Sequence, residues 1–195
     1  MNRDIRQIRT SMSDFTTAKD GDIPHISGYF AVFNCDYEIF PGCTESIAPG
    51  AFTDELSSDV RALVDHDTKY VLGRTTAGTL ELREDTKGLW ADIAVNPKDS
   101  DAMNCWARVE RGDVSQCSFG FNILDEEHEE REDGTHHFTI RKVKLFEISC
   151  CTFPAYTETA ISARKEDIAE IEKRKTDIWR EETRKRLKEV LGHGA

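Results

Sequence analysis

The sequence predicts a mainly β fold with flanking helices (α+β), followed by a helical tail. Several short segments are rich in aromatic and β-branched residues and are separated by turn signals, which is typical of strands. Residues 99–111 repeat apolar side chains at helical spacing and stop at Gly112, a common helix terminator. Residues 163–191 hold ten basic and eight acidic residues around a thin apolar stripe, the pattern of a long exposed helix.

The predicted strands lie in a body that extends from residue 23 to residue 162. They comprise residues 26–33, 60–64, 80–83, 89–95, 114–124, 137–140 and 143–151. The third and fourth of these strands form a hairpin around a turn. The charge run at 125–134 is expected to be an exposed hairpin loop. The polar segment 1–22 is expected to be flexible, and residues 163–195 form the charged helical tail.

The composition excludes several classes of protein. A length of 195 residues suits one domain with an appendage. The net charge of -11 argues against non-specific nucleic-acid binding, which needs a cationic face. No apolar stretch reaches the length of a membrane span, and the polar N-terminus lacks the apolar core of a secretion signal. The six cysteines are too sparse to indicate a disulfide framework, and Cys117, Cys150 and Cys151, which lie in apolar stretches, are expected to be small buried thiols.

A candidate general base follows the short apolar segment 60–64. His66 stands there between Asp65 and Asp67. Histidine is the side chain that most often transfers protons near neutral pH. A surface histidine in a polar turn is the structural alternative, and the local sequence leaves the two interpretations open.

A candidate nucleophile lies inside an apolar predicted strand. Ser118 is followed two residues later by Gly120, which would let a substrate backbone approach closely. Serine becomes a nucleophile when a neighbouring imidazole accepts its proton and a third group orients that imidazole. A buried strand serine is more often a hydrogen-bonded core residue. Ser115 is a local competitor, but it faces the opposite side of a regular strand, so at most one of the two serines faces a given site.

A lone carboxylate interrupts the apolar run 145–151. An ionised Glu147 in this run is costly unless it is paired. We therefore expect a partner, either a histidine or one of the basic residues at 141, 142 and 144. A structural ion pair and a catalytic role are both consistent with this pattern.

A metal site is the competing chemistry for these residues. His66 with its two aspartates, joined by His136 and His137, offers nitrogen and oxygen ligands. The sequence has no spaced CxxC or HExxH pattern in support, and it has neither a phosphate-binding glycine loop nor a Gly-x-Ser-x-Gly motif. We therefore expect neither a metal nor a cofactor.

A series of short motifs occurs in order between residues 26 and 162. They are GYFAVF (28–33), ESIAPGAF (45–52), DHD (65–67), LGRT (72–75), GL (88–89), RGDV (111–114), SFGF (118–121), LFEIS (145–149) and FPAY (153–156). Together they resemble the prohead proteases of tailed bacteriophages, the serine peptidases that mature the capsid. The chain departs from the family pattern at Tyr156, where a small or asparagine-like residue is usual.

The resemblance implies a fold and a set of catalytic residues. This family is related to the herpesvirus assemblin proteases, which implies a closed, mostly antiparallel β-barrel over residues 23–162. The base and the nucleophile carry over to His66 and Ser118. Assemblins use a second histidine as the third member of the triad, whereas this chain presents Glu147 on the following strand.

The resemblance also implies substrates and a location. The substrates would be scaffolding protein, or a scaffold-like segment of the major capsid protein, and the protease itself. A homodimer is plausible by analogy, and no nucleic-acid or membrane partner is expected. The protein would act in the host cytoplasm, inside the assembling prohead, and would not be secreted. The alternative is a non-catalytic internal scaffold that uses the same barrel and its helical tail.

Overall fold

The chain folds into strands, two helices and short connecting turns. A computed structural model describes residues 6–153 and 158–192. Within these ranges the elements are β1 (Gln7–Met12), β2 (Thr16–Asp20), β3 (Ile23–Val32), β4 (Tyr37–Phe40), β5 (Cys43–Ile47), β6 (Arg61–Val64), β7 (Asp67–Arg74), β8 (Leu80–Glu84), β9 (Gly88–Ala94), α1 (Ser100–Arg111), β10 (Gln116–Glu130), β11 (His136–Cys151) and α2 (Glu158–Gly192). The mainly β, α+β class predicted from the sequence is confirmed.

The strands form two open sheets. The larger sheet follows the order β1-β10-β11-β5-β4, with β6 paired to β11 and β7 paired to β6. The smaller sheet has the order β2-β3-β9-β8. Neither sheet closes on itself in the described part of the chain, so the predicted closed antiparallel barrel is wrong.

The departure from a barrel has its origin in β11. The first half of this strand pairs with β5 and its second half pairs with β6, both in parallel. The sheet therefore branches at β11 instead of joining its first strand to its last. A barrel abolishes edge strands, whereas here β1, β4 and β7 each end a branch of the sheet.

A long ribbon of β10 and β11 carries the region of interest. The two strands pair from Gln116↔Cys151 to Glu130↔His136. The prediction of a loop over residues 125–134 is therefore mostly wrong, because residues 125–130 continue the pairing of β10 with β11 and leave only a short turn. Along β10, Cys117, Phe119 and Phe121 point into the core, and the alternate residues face the other side of the sheet.

The core lies between the two sheets and helix α1. Its aromatic centre includes Phe52 and Phe119, whose ring centroids are 5.5 Å apart. Helix α1 begins at the capping residue Asp99, whose carboxylate accepts from the backbone N–H groups of two residues in the first turn. It ends at Gly112, which has a φ of 88°. The sequence therefore predicted both ends of this helix.

Both terminal segments are attached to the body. Strands β1 and β2 lie within the range 1–22 that the sequence predicts to be flexible, and β1 pairs with β10. Residues 1–5 fall outside the described part. Helix α2 is anchored by Arg164, which is 1% exposed and bonds to Glu45 and Glu126. No helix in the described ranges combines the length and apolarity needed to cross a membrane.

Candidate active site

A tight hairpin turn presents the candidate base. Asp65 and His66 link β6 to β7, and both have positive φ, 48° and 61°. Two-residue hairpin turns of type I′ require positive φ at both positions, and Asn-Gly or Asp-Gly usually occupy them. A histidine in this conformation is strained. The Asp65 carboxylate holds the turn against the end of β11, because it accepts from Thr152 N at 2.8 Å and from Thr152 Oγ1 at 3.1 Å.

The imidazole of His66 is paired with the lone carboxylate of β11. His66 Nδ1 lies 2.8 Å from Glu147 Oε1. A carboxylate can only accept, so this contact places the Nδ1 proton in the shared hydrogen bond and leaves Nε2 available to accept a proton. Arg6 donates to the same carboxylate oxygen at 2.6 Å, and Ser149 Oγ donates to Oε2 at 2.6 Å. Glu147 is therefore fully engaged, with its side chain only 3% exposed.

These contacts keep Glu147 ionised. Burial by itself raises the pKa of this carboxyl group, but hydrogen bonds and charge from His66, with bonds from Ser149 and Arg6, outweigh it. The net result is a pKa below the usual value. The expectation that Glu147 has a partner is thus met by a histidine and an arginine. The basic residues at 141, 142 and 144 pair instead with Glu127, Asp54 and Glu55.

The close approach of these groups depends on Gly120. This residue lies opposite Glu147 in the ladder. A Cβ atom at this position would stand 2.3 Å from Glu147 Oε1 and 2.6 Å from Arg6 Nε. Gly120 therefore leaves room for the ion pair itself.

Ser118 lies on the same face of the sheet as Glu147. It is directly opposite Ser149 in the ladder, and Ser149 Oγ accepts from the backbone N–H of His66 at 3.3 Å. Ser118 is fully buried, and its ladder partner in the neighbouring strand β1 is Thr10. The Ser118 hydroxyl donates to the carbonyl of Arg9 at 2.8 Å and accepts from Thr10 Oγ1 at 3.2 Å. Within the described residues, no hydrogen bond joins it to His66.

A cysteine thiol occupies the space beside the free nitrogen of the imidazole. Cys151 Sγ lies 3.8 Å from His66 Nε2. Burial, with the nearby charges of Asp65 and Glu147, raises the pKa of this thiol well above its usual value. The thiol is therefore protonated at neutral pH and is a poor nucleophile. Neither Cys151 nor Arg6 was singled out from the sequence, because neither lies in a pattern that indicates chemistry.

The remaining sequence candidates make none of the contacts described above. Ser115 precedes β10, and its carbonyl accepts from the backbone of Ser13. His136 lies 2.9 Å from His128, and His137 bonds to Thr44 and Ser46. Residues 6–153 and 158–192 contain no group of three or more acidic, histidine or cysteine side chains arranged to hold a metal ion.

Comparison with known proteins shows the family to which the chain belongs. The chain is 30% identical over 168 residues to the prohead protease of Enterobacteria phage HK97, an alignment that covers 81% of this chain and 69% of that protein. The fold is similar to that of the capsid assembly protease of bacteriophage T4, with a TM-score of 0.50 and 9% identity. That match covers 75% of this chain and 96% of the T4 chain. The sequence profile of the Caudovirus prohead serine proteases matches residues 9–174, and the chain therefore belongs to this peptidase family.

Proposed function

We propose that this protein is a serine endopeptidase of capsid maturation in which Ser118 is the nucleophile, His66 the base and Glu147 the orienting acid. The observation that carries the proposal is the 2.8 Å contact between His66 Nδ1 and Glu147 Oε1, next to the strand that holds Ser118. A buried carboxylate that fixes the tautomer of a histidine beside a serine-bearing strand is the arrangement that serine peptidases need.

Register supports the reach between base and nucleophile. Ser118 and Ser149 are an opposed pair, and the Cβ atoms of such pairs lie about 4.5–5.5 Å apart. Ser149 in turn contacts the backbone of His66. His66 and Ser118 are thus both neighbours of Ser149 on one face of the sheet. Rotation of Ser118 about χ1 would release its hydroxyl from the Arg9 carbonyl and turn it towards Nε2. Such bonds are often formed only in the substrate complex.

The proposed reaction is an acyl transfer. The Ser118 hydroxyl passes its proton to His66 Nε2 while Oγ bonds to the peptide carbonyl carbon. The C–N bond then breaks, and His66 returns the proton to the departing amine. A water molecule then attacks the acyl carbon and gives a proton to Nε2. The bond between Oγ and the acyl carbon breaks, the carboxylic acid product departs, and Nε2 returns the proton to Ser118 Oγ. Glu147 stays ionised throughout and stabilises the imidazolium, which is consistent with its lowered pKa.

The proposed substrates follow from the relatives. A prohead protease and a capsid assembly protease are named among them. We infer that this chain cleaves scaffolding protein, or a scaffold-like segment of the major capsid protein, and also itself, inside the assembling prohead. The alternative of an internal scaffold without activity is an outcome of the experiment below.

The test combines co-expression with active-site labelling. Wild type, Ser118→Ala, His66→Ala and Cys151→Ala are each expressed with the major capsid protein, and the intact masses of both products are measured. Each purified variant is also treated with a fluorophosphonate, which phosphonylates activated serines. We expect wild type and Cys151→Ala to cleave and to be labelled, and the other two variants to do neither.

Two results would contradict the proposal. Processing that survives Ser118→Ala and is lost in Cys151→Ala would identify the thiol beside Nε2 as the nucleophile. Wild-type protein that stays intact, leaves the capsid protein intact and takes up no label would favour the non-catalytic scaffold.

A further inference from the structure

A cleft adjoins the candidate active site on the same face of the sheet. It has a volume of about 340 Å³ and shares Glu147 with the site. Its other lining residues are Arg6, Arg61, Leu63, Thr68, Asn122 and Phe146. We refer to this space as the Asn122 cleft.

The cleft lies along β10 from Ser118, within reach of a substrate bound in extended conformation. Ser118, Gly120 and Asn122 alternate along β10 and share one face. At about 3.3 Å per residue, Asn122 lies roughly 13 Å from Ser118 along the strand. A peptide in extended conformation over Ser118 would therefore bring a side chain to the cleft from a residue about two to four positions away from the scissile bond.

The charges around the cleft are mainly positive. Glu147 is its anionic group, and that carboxylate is already paired with His66, Ser149 and Arg6. Arg61 is half-exposed at the rim and bonds to Asp59. Asp59 is shared, because Arg74 also donates two hydrogen bonds to it. Arg61 therefore retains donors and charge for a ligand, in a protein whose net charge is -11.

One cleft residue has a buried polar atom without a partner. Asn122 Oδ1 is buried, and no group in residues 6–153 or 158–192 donates a hydrogen bond to it. A buried acceptor without a donor costs about 1–3 kcal/mol. Rotation of the Asn122 side chain towards the cleft would let a donor on a ligand, such as a substrate backbone N–H, satisfy this oxygen. Leu63 and Phe146 give the same cleft an apolar wall.

We propose that the Asn122 cleft is a specificity subsite that binds an acidic side chain of the substrate. Arg61, with Arg6, pairs with the carboxylate. Leu63 and Phe146 pack against its methylene groups, and Asn122 Oδ1 accepts a hydrogen bond from the substrate backbone. This inference rests on the proposed peptidase function and adds to it a preference at a position away from the scissile bond.

The test measures cleavage preference with a defined probe. A mixture of synthetic peptides of randomised sequence is digested, and the products are sequenced by mass spectrometry. We expect wild type to enrich Glu and Asp about fivefold at one position two to four residues from the scissile bond, the size expected of a partly exposed charge-assisted hydrogen bond. Arg61→Glu should abolish this enrichment and favour Lys and Arg at the same position.

Two further variants control for nonspecific effects. Arg74→Glu removes another partner of Asp59 outside the cleft and should keep the acidic preference. Thr68→Glu adds an anion at an exposed cleft position without removing any ion pair, and it should weaken the preference even if Arg61→Glu proves unstable. Thermal unfolding of each variant confirms that it is folded.

The failures of the two proposals are distinguishable. The subsite proposal is overturned, and the peptidase proposal stands, if wild type cleaves peptides without enriching acidic residues two to four positions from the scissile bond. The same holds if folded Arg61→Glu and Thr68→Glu keep the wild-type cleavage preference. If wild type releases no more products than Ser118→Ala, both proposals are overturned.

Discussion

The substitution Gly120→Ala tests how closely the site depends on packing. The added Cβ would stand 2.3 Å from Glu147 Oε1, whereas ordinary van der Waals contact begins at 3.4 Å. The carboxylate, which is buried on the strand directly opposite, must therefore recede by about 1 Å. The present bond from His66 Nδ1 is 2.8 Å long, and a displacement of that size takes it beyond the limit of about 3.2 Å for such bonds.

The expected consequence is a loss of rate. Misplacing a catalytic group by about 1 Å costs about 100-fold, and complete loss of the orienting acid costs up to about 10,000-fold. We expect Gly120→Ala to lower the second-order rate constant for fluorophosphonate labelling of Ser118 by about 100-fold, with Glu147→Gln at least as slow. Overpacking should also lower the free energy of unfolding by about 1–3 kcal/mol.

The matched control is a second glycine in a strand. Gly28→Ala meets Phe15 Cδ1 at 2.9 Å and Ser13 Oγ at 3.0 Å, so it introduces a comparable clash with none of the proposed triad. It should lower stability without slowing labelling in the folded protein. The NMR signal of an imidazole proton bonded to a carboxylate should be present in Gly28→Ala and lost in Gly120→Ala. A folded Gly120→Ala that is labelled within about threefold of the wild-type rate would refute the reasoning.

Three further predictions concern stability. The folded-state pKa values of Glu45 and Glu147 lie below the usual 4.5, so the stability that these carboxylates contribute is present above that pH and is lost as pH falls below it. Urea unfolding should therefore give a lower free energy of unfolding at about pH 3 than at about pH 6, and equal values at the two pH values would contradict this expectation. His66→Gly should be about 1 kcal/mol more stable than His66→Ala in chemical denaturation, because both lose the imidazole but only glycine relieves the positive φ; equal stabilities would argue against strain. Arg164→Ala should cost about 3–5 kcal/mol, because it leaves the buried Glu126 carboxylate without its ion pair and leaves Glu45 with Arg9 alone. Exposed Arg174→Ala should change stability by under about 0.5 kcal/mol, and similar losses in both would show that the anchor is unimportant.

Local sequence predicted those elements whose signals are local. Helix α1 was predicted because its apolar spacing and the terminating Gly112 lie within the helix and its flank. The hairpin of β8 and β9 was predicted from alternation and a turn. The closed barrel, in contrast, was implied by the family resemblance and by no local signal. It is wrong because closure depends on which distant strands pair with β11.

The sequence by itself determined the class of fold and the membership of a peptidase family, and it predicted three residues suited to acyl transfer. Only the tertiary structure decided that Glu147 pairs with His66 and Arg6, that Gly120 makes room for them, and that β1 pairs beside Ser118 and accepts its hydroxyl hydrogen bond. The physical reason is that helix and turn propensities act over a few neighbouring residues. Hydrogen bonds between side chains 81 and 141 positions apart exist only once register and burial have brought those strands together.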